Sequence, residues 1–152
     1  MGLYISESDY SPLTPKIDPD GKVWLYTKWV ANAAAAKTGM IIKMGATGWE
    51  AADVFDPAAS QIAGEAYIGF SEAVQTTNTY GWAQIGGPIS DAVVGTTTAT
   101  VGHYIHWAND KLLSLGSAKL SSGGAFGVFT ATGTSGTTQD LLLFPKPVNG
   151  TT

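Results

Sequence analysis

Two histidines and two aspartates are the candidates for chemistry in this chain. His103 and His106 lie three positions apart in GHYIHW. The apolar residues around them predict a strand, on which positions i and i+3 face opposite sides, so they could share one metal ion only if the segment were helical. Asp53 and Asp56 could form an acid–base pair, but no cleft motif accompanies them and Asp56 precedes a proline, which predicts a turn. We therefore expect no catalytic residue and no metal site.

The known catalytic motifs lead to the same expectation. The chain contains no Gly-x-Ser-x-Gly elbow, no Walker-type phosphate loop and no dinucleotide fingerprint. The stretch DPDGK at 18–22 begins like a calcium loop but lacks the glutamate that would complete one, so a tight turn is the better interpretation. We expect neither an enzyme nor a bound cofactor.

Charge is scarce in this chain. Charged residues make up 13% of the 152, the net charge is -4, and the eight cations are all lysines. A surface of this kind suits contact with other proteins, although a neutral extracellular β domain fits it equally well. The absence of arginine disfavours nucleic acid. No apolar run reaches the roughly 20 residues of a membrane helix, and the first residues carry no secretory signal. We expect no nucleic-acid partner and no membrane.

Three regions are predicted along the chain. Prolines at 12, 15 and 19 favour an extended N-terminal arm over residues 1–20, for which a frayed terminus is the alternative. Residues 21–146 form one β-rich domain, and residues 147–152 form a flexible tail.

The clearest elements lie at the start of the domain. KVWLYTKWV at 22–30 alternates as a strand does, with one face formed by Val23, Leu25, Thr27 and Trp29 and the other by Trp24, Tyr26 and Lys28. ANAAAAK at 31–37 predicts a two-turn helix that ends before Gly39.

The rest of the domain is predicted to be β. Trp49, Val54 and Phe55 are expected to be buried in the less regular stretch 46–56. Gly86-Gly87-Pro88 is interpreted as a turn between two strands. The predicted strands span 39–45, 61–70, 80–87, 89–94, 101–107, 111–115, 125–132 and 139–145. Short strands joined by Gly, Ser and Thr turns are typical of an antiparallel β-sandwich or a small β-barrel.

Tryptophan offers the one candidate binding surface. Tryptophans at 24, 29, 49, 82 and 107 could stack on carbohydrate, but four of them lie in apolar strand-like stretches, which favours a core or an interface. Trp82, in YGWAQIGGP, has two interpretations: if buried it belongs to the core, and if exposed it is an interface anchor.

The order of these features resembles a family of phage proteins. The segments that carry the resemblance are DGKVWLYTKWVANAAAAKTG, GEAYIGFSEA, YGWAQIGGPISDAVV, VGHYIHWANDKLLSLG and AFGVFTAT followed by QDLLLF. Together they span roughly residues 20–145 and are similar to the head decoration, or cement, proteins of tailed bacteriophages. The short Ala-rich helix is a departure, because not every decoration fold would hold one.

The resemblance implies a non-enzymatic virion protein on the outer capsid surface, made in the host cytoplasm. It would bind the major capsid protein, form a homo-oligomer, most often a trimer, and cement neighbouring capsid subunits. The residues expected to contact the capsid or another subunit are Leu3, Tyr4, Ile5 and Tyr10 of the arm, together with Trp82. The alternatives are a glycan- or host-binding display module, such as a head fibre or adhesin, and a head–tail or tail-tube component.

Overall fold

The computed structural model describes residues 15–33, 35–46, 48–52, 65–93, 99–108, 111–115, 126–133, 138–145 and 148–149. Within these ranges the chain is mainly β, as predicted. Its strands are β1 (Lys16–Ile17), β2 (Val23–Trp29), β3 (Gly39–Met44), β4 (Trp49–Ala52), β5 (Glu65–Ser71), β6 (Tyr80–Val93), β7 (Tyr104–Ala108), β8 (Lys111–Leu115), β9 (Gly127–Phe129), β10 (Thr138–Leu143) and β11 (Val148–Asn149). Val54 and Phe55, expected to be buried, lie outside the described residues.

Five of these strands close into a barrel. β2 pairs with β4, β4 with β3, β3 with β5, β5 with β6, and β6 returns to β2. The β2–β4 pair is parallel, whereas the other four pairs are antiparallel. β1 and β11 extend the same sheet by pairing with β2 and β5. The prediction of a small barrel is thus confirmed for this part of the chain.

The barrel interior is filled by alternate residues of its strands. Leu25, Thr27 and Trp29 of β2 are almost completely buried, so the face that they were predicted to share is the inner one. The other strands and the segment after β2 complete the interior cluster with Ala33, Met40, Ile42, Ala51, Ala83 and Ile85. The half-buried Trp49 packs at its margin, edge-on against Tyr67 with ring centroids 5.4 Å apart.

A second sheet covers part of the barrel's outside. β6 runs on beyond the barrel and pairs with β10, after which the order is β9, β7 and β8, all antiparallel. The cluster between the two layers is formed by Ile41, Ile68 and Phe70 of the barrel and by Ile89, Ala92, Ala99, Ile105, Phe126, Phe129, Leu141 and Leu143. A fully buried Leu, Ile or Phe side chain contributes about 1.5–3 kcal/mol, so this cluster fixes the second sheet against the barrel.

The Gly-Gly-Pro sequence lies inside a strand, so the prediction of a turn there is wrong. β6 continues from Tyr80 to Val93 without interruption. Gly86 still pairs with Val23 of the barrel, and Gly87 already pairs with Leu143 of the second sheet. At these three residues one strand passes from the barrel to the second sheet. The pairing on both sides keeps the chain within β6, so it does not reverse direction.

The alanine-rich segment 31–37 does not form the predicted helix in its described residues. Ala33 makes an antiparallel bridge to Gln75, with both backbone hydrogen bonds 3.0 Å long. The amide of Lys37 donates to the carbonyl of Ser71, and Lys37 has a positive φ of 59°. An isolated two-turn helix is unstable because its nucleus is costly, so bonds to the loop after β5 take the place of helical ones.

Candidate functional site

Four of the five predicted contact residues, Leu3, Tyr4, Ile5 and Tyr10, lie outside the described residues. The fifth, Trp82, is on β6 and is 8% exposed. Its neighbour Ala83 belongs to the barrel interior, so alternation places the Trp82 indole on the outer wall. Trp82 is therefore buried, but on the outside of the barrel.

Trp82 is one of four aromatic residues on that wall, which we call the outer aromatic wall: Trp24, Tyr26, Tyr80 and Trp82. The register of β2 and β6 brings them together, because Tyr26 pairs directly with Trp82. The ring of Tyr26 lies 5.2 Å from that of Trp82 and stacks on Tyr80 at 5.9 Å. The wall follows from the alternation of the two strands.

Lys16 covers the buried end of the outer aromatic wall. Its Nζ lies 5.4 Å from the ring centroid of Trp24 and 5.1 Å from that of Trp82. Asp18 accepts a 2.8 Å hydrogen bond from the Trp24 indole and lies 3.4 Å from the Lys16 ammonium. Cation–π contacts of this kind are worth about 0.5–1 kcal/mol at exposed sites, so Lys16 stabilises the packing of β1 against the two tryptophans.

The opposite end of the wall is open. Tyr80, which pairs with Lys28 at the far end of β2 from β1, is 51% exposed. Large apolar side chains that face solvent on a rigid sheet are suited to contact with another protein. The sequence predicted Trp82 as the contact residue on this strand, whereas in the structure Tyr80 is the exposed aromatic residue that a partner can reach.

A pocket of about 320 Å³ lies where β6 leaves the barrel. Its floor and walls include Trp24 from β2, Phe70 from β5, and Gln84 and Ile89 from β6. Around them are Asp20, Lys22, Lys37, Ser71, Glu72, Pro88 and Ser90. The volume is within the range of small-molecule sites.

Gln84 is a buried polar side chain of this pocket that bonds to the backbone of its own strand. It is 5% exposed, and its Nε2 donates to the carbonyl oxygens of Gly86, at 3.0 Å, and Pro88, at 2.9 Å. These bonds hold β6 where it changes sheets. A glutamine in the middle of an otherwise apolar strand was the sequence signal for this site, but the other lining residues come from distant segments.

An ion pair lies at the edge of the pocket. Lys22 Nζ is 2.8 Å from Asp20 Oδ2, across the tight turn that DPDGK predicts; the amide of Gly21 donates to the carbonyl of Asp18 there, which confirms that turn. The hydrogen bond from Lys22 lowers the pKa of Asp20, and the same bond raises the pKa of Lys22. Both groups remain charged at neutral pH.

The structure describes only one of the two histidine side chains. His103 is half-buried just before β7, whereas the side chain of His106 lies outside what the structure describes. Among the described residues, no group of three or more His, Asp or Glu side chains could hold a metal ion. In the same part of the chain, no helix is long and apolar enough to cross a membrane.

No known protein family matches this chain, and no curated protein matches its sequence. In fold, the chain is similar to the N base of the head fiber protein gp8.5 of bacteriophage phi29. The TM-score is 0.53 at 9% sequence identity, and the similarity covers 84% of this chain and 98% of that one. The two proteins therefore have a common architecture over almost the whole of the phage domain.

Proposed function

We propose that this chain is a non-enzymatic structural protein of a tailed-phage head, which attaches to the outer surface of the capsid. The observation that carries the proposal is the similarity in fold to the base of a head fiber, which extends over 98% of that domain. The resemblance of the sequence to head decoration proteins supports the same location in the virion.

The open end of the outer aromatic wall is the surface that we assign to the capsid. Tyr80 is exposed there on β6, which is a strand of the closed barrel. Burial of such side chains is a main source of affinity at protein interfaces, and repetition over many capsid positions multiplies a modest contact. The partner is the major capsid protein, and the chain assembles as a homotrimer.

Cementing of neighbouring capsid subunits is the second candidate within this role. It is favoured by β1, which joins the N-terminal segment to the domain beside the outer aromatic wall. From this edge, residues 1–14 would reach a neighbouring subunit. A base for an external appendage requires only attachment, whereas a cement protein must also raise the stability of the shell.

Co-sedimentation with capsids assembled from the major capsid protein of the same phage tests the proposal. We expect the intact chain to sediment with capsids, Tyr80→Ala to bind at least about tenfold more weakly, and Thr130→Ala, at an exposed position just after β9, to bind normally. Failure of the intact chain to bind any capsid form would exclude capsid attachment. Light scattering of the free protein should give three times the 15.8 kDa chain mass.

The thermal stability of the same capsids separates the two candidates. A cement protein should raise the temperature at which capsids release their contents, and deletion of residues 1–14 should abolish this rise. An attachment base should bind without any change in that temperature.

A further inference from the structure

The pocket beside β6 has an apolar interior and a charged mouth. Phe70 and Ile89 are almost completely buried, and Trp24 is 8% exposed. The Trp24 indole cannot turn away, because its Nε1 donates to Asp18 at 2.8 Å. The pocket therefore offers a fixed aromatic wall within a volume of about 320 Å³.

Gln84 brings an unpartnered acceptor to this pocket. Both of its Nε2 protons are used, since this nitrogen donates to the carbonyls of Gly86 and Pro88. Carbonyl oxygens only accept hydrogen bonds, so the atom that faces them must be the nitrogen. The Oε1 atom accepts no hydrogen bond from a described residue, although Gln84 is only 5% exposed. Among the described residues, the buried side-chain atoms that lack a hydrogen-bond partner are the indole nitrogens of Trp29 and Trp49. Gln84 Oε1 is therefore open to the pocket, where a ligand hydroxyl can donate to it.

The charges around the mouth cancel. Lys22 and Lys37 contribute two positive charges, and Asp20 and Glu72 contribute two negative charges. Lys22 is paired with Asp20 at 2.8 Å, and Lys37 lies 4.0 Å from Asp91. A phosphate or carboxylate ligand would meet no excess of positive charge here, so the pocket suits a neutral ligand.

From these observations we infer that the pocket binds a neutral saccharide. One C–H face of a sugar ring packs on Trp24, and one hydroxyl group donates to Gln84 Oε1. The carboxylates of Asp20 and Glu72 accept from further hydroxyl groups at the mouth. A pyranose combines an apolar face with several donors, and this combination matches the lining. The inference goes beyond capsid attachment and does not depend on it.

A ¹H–¹⁵N NMR titration of the full chain tests this site. The probes are glucose, galactose, N-acetylglucosamine, cellobiose, lactose and chitobiose. We expect at least one of them to bind with a millimolar dissociation constant and to shift the Trp24 indole N–H resonance. If none of the six sugars shifts that resonance at concentrations far above the millimolar range, the inference is wrong.

Two variants locate the binding. Ser90 lines the pocket from an exposed position of β6, so Ser90→Tyr should fill it and weaken binding by about tenfold or more. Thr130→Tyr adds the same side chain at an exposed position outside the pocket and should leave affinity unchanged. Equal sugar affinity in the two variants would place binding elsewhere and overturn the assignment.

Gln84→Met tests the acceptor itself. Methionine preserves the length of the side chain but cannot accept the sugar hydroxyl, so affinity should fall by about tenfold. Because this change also removes the bonds to Gly86 and Pro88, folding is checked by circular dichroism, and Ser90→Tyr decides the question if Gln84→Met unfolds. Capsid co-sedimentation of Ser90→Tyr separates the two proposals: if sugar binding is lost while capsid binding is unchanged, the functions are independent. If no sugar binds and Ser90→Tyr weakens capsid binding, the pocket is a protein contact and the saccharide inference fails.

Discussion

Gly87 lies directly against the backbone of Gly21. A Cβ atom added to Gly87 would stand 2.5 Å from the Gly21 carbonyl oxygen and 2.9 Å from Lys22 Cα. Gly87 also has a φ of +85°. The turn between β1 and β2 thus packs on the point where β6 passes from the barrel to the second sheet, and only glycine allows this approach.

Replacement of Gly87 by alanine should therefore be strongly destabilising. The variant combines a left-handed backbone with a clash against main-chain atoms that no side-chain rotation can relieve. We expect Gly87→Ala to lower the free energy of unfolding by about 3 kcal/mol, as measured by urea denaturation.

Two other glycines provide matched controls. Gly21 and Gly102 have φ values of +83° and +80°, and a Cβ atom on either would meet no atom within 4 Å. Their alanine variants should lose only the conformational part, about 1 kcal/mol. Equal losses in all three variants would mean that the contact between Gly87 and Gly21 contributes nothing.

Gly87 also shows where sequence reasoning reached its limit. The alternation of residues 80–85 was sufficient to separate the two faces of β6, but not to decide which of them lines the core. Gly-Gly-Pro was interpreted as a turn because local preferences favour chain reversal at such residues. In the structure, Val23 and Leu143 pair with Gly86 and Gly87, so the chain stays within β6 and does not reverse. Contacts between residues so far apart in sequence could not be predicted from the local pattern.

The candidate pocket could not be predicted from the sequence for the same reason. Alternation separated Trp24 from Leu25 and Thr27 on β2, and Gln84 was recognisable as a polar residue in an apolar strand. Their approach to Phe70 depends on the pairing of β5 with β6 through Phe70 and Gln84. Only the closed barrel brings the three side chains to one site.

The alanine-rich segment allows a direct test of its non-helical structure. Ala33 is completely buried in the barrel cluster, whereas Ala35 is exposed. Ala33→Leu should overpack the interior and cost about 2 kcal/mol in thermal or urea unfolding. Ala35→Leu should change the free energy of unfolding by less than about 0.5 kcal/mol. If both leucine variants were tolerated, as leucine is in a helix, the bridged structure would be wrong.

Two residues of the outer aromatic wall should have different roles: Trp82 should contribute to stability and Tyr80 to binding. Trp82 packs between Tyr26 and Lys16, so Trp82→Ala should cost about 3 kcal/mol in unfolding experiments. Tyr80 is 51% exposed, so Tyr80→Ala should cost less than about 1 kcal/mol. If Tyr80 contacts a partner, its variant should retain its fold and lose capsid binding. The reverse pattern, a stable Trp82 variant and an unfolded Tyr80 variant, would contradict the arrangement of the wall.

The pair of Asp20 and Lys22 should be visible in a pH titration. The hydrogen bond from Lys22 lowers the pKa of Asp20 below 3.8, so its contribution to stability is present above that value and is lost as the pH falls through the folded-state pKa. Asp20 raises the pKa of Lys22 above 10.5, so that contribution is present below 10.5 and is lost as the pH rises through the folded-state pKa.

NMR titration of the Asp20 carboxyl carbon measures this coupling. Lys22→Met should return the pKa of Asp20 towards 3.8, and Lys43→Met, at an exposed position on β3, should leave it unchanged. Because the pair is exposed, high salt should weaken the coupling in the wild-type chain. An Asp20 pKa that does not change in Lys22→Met would mean that the two side chains do not interact in solution. The mouth of the pocket would then carry two independent charges instead of one neutral pair, and the expectation of a neutral ligand would lose its electrostatic support.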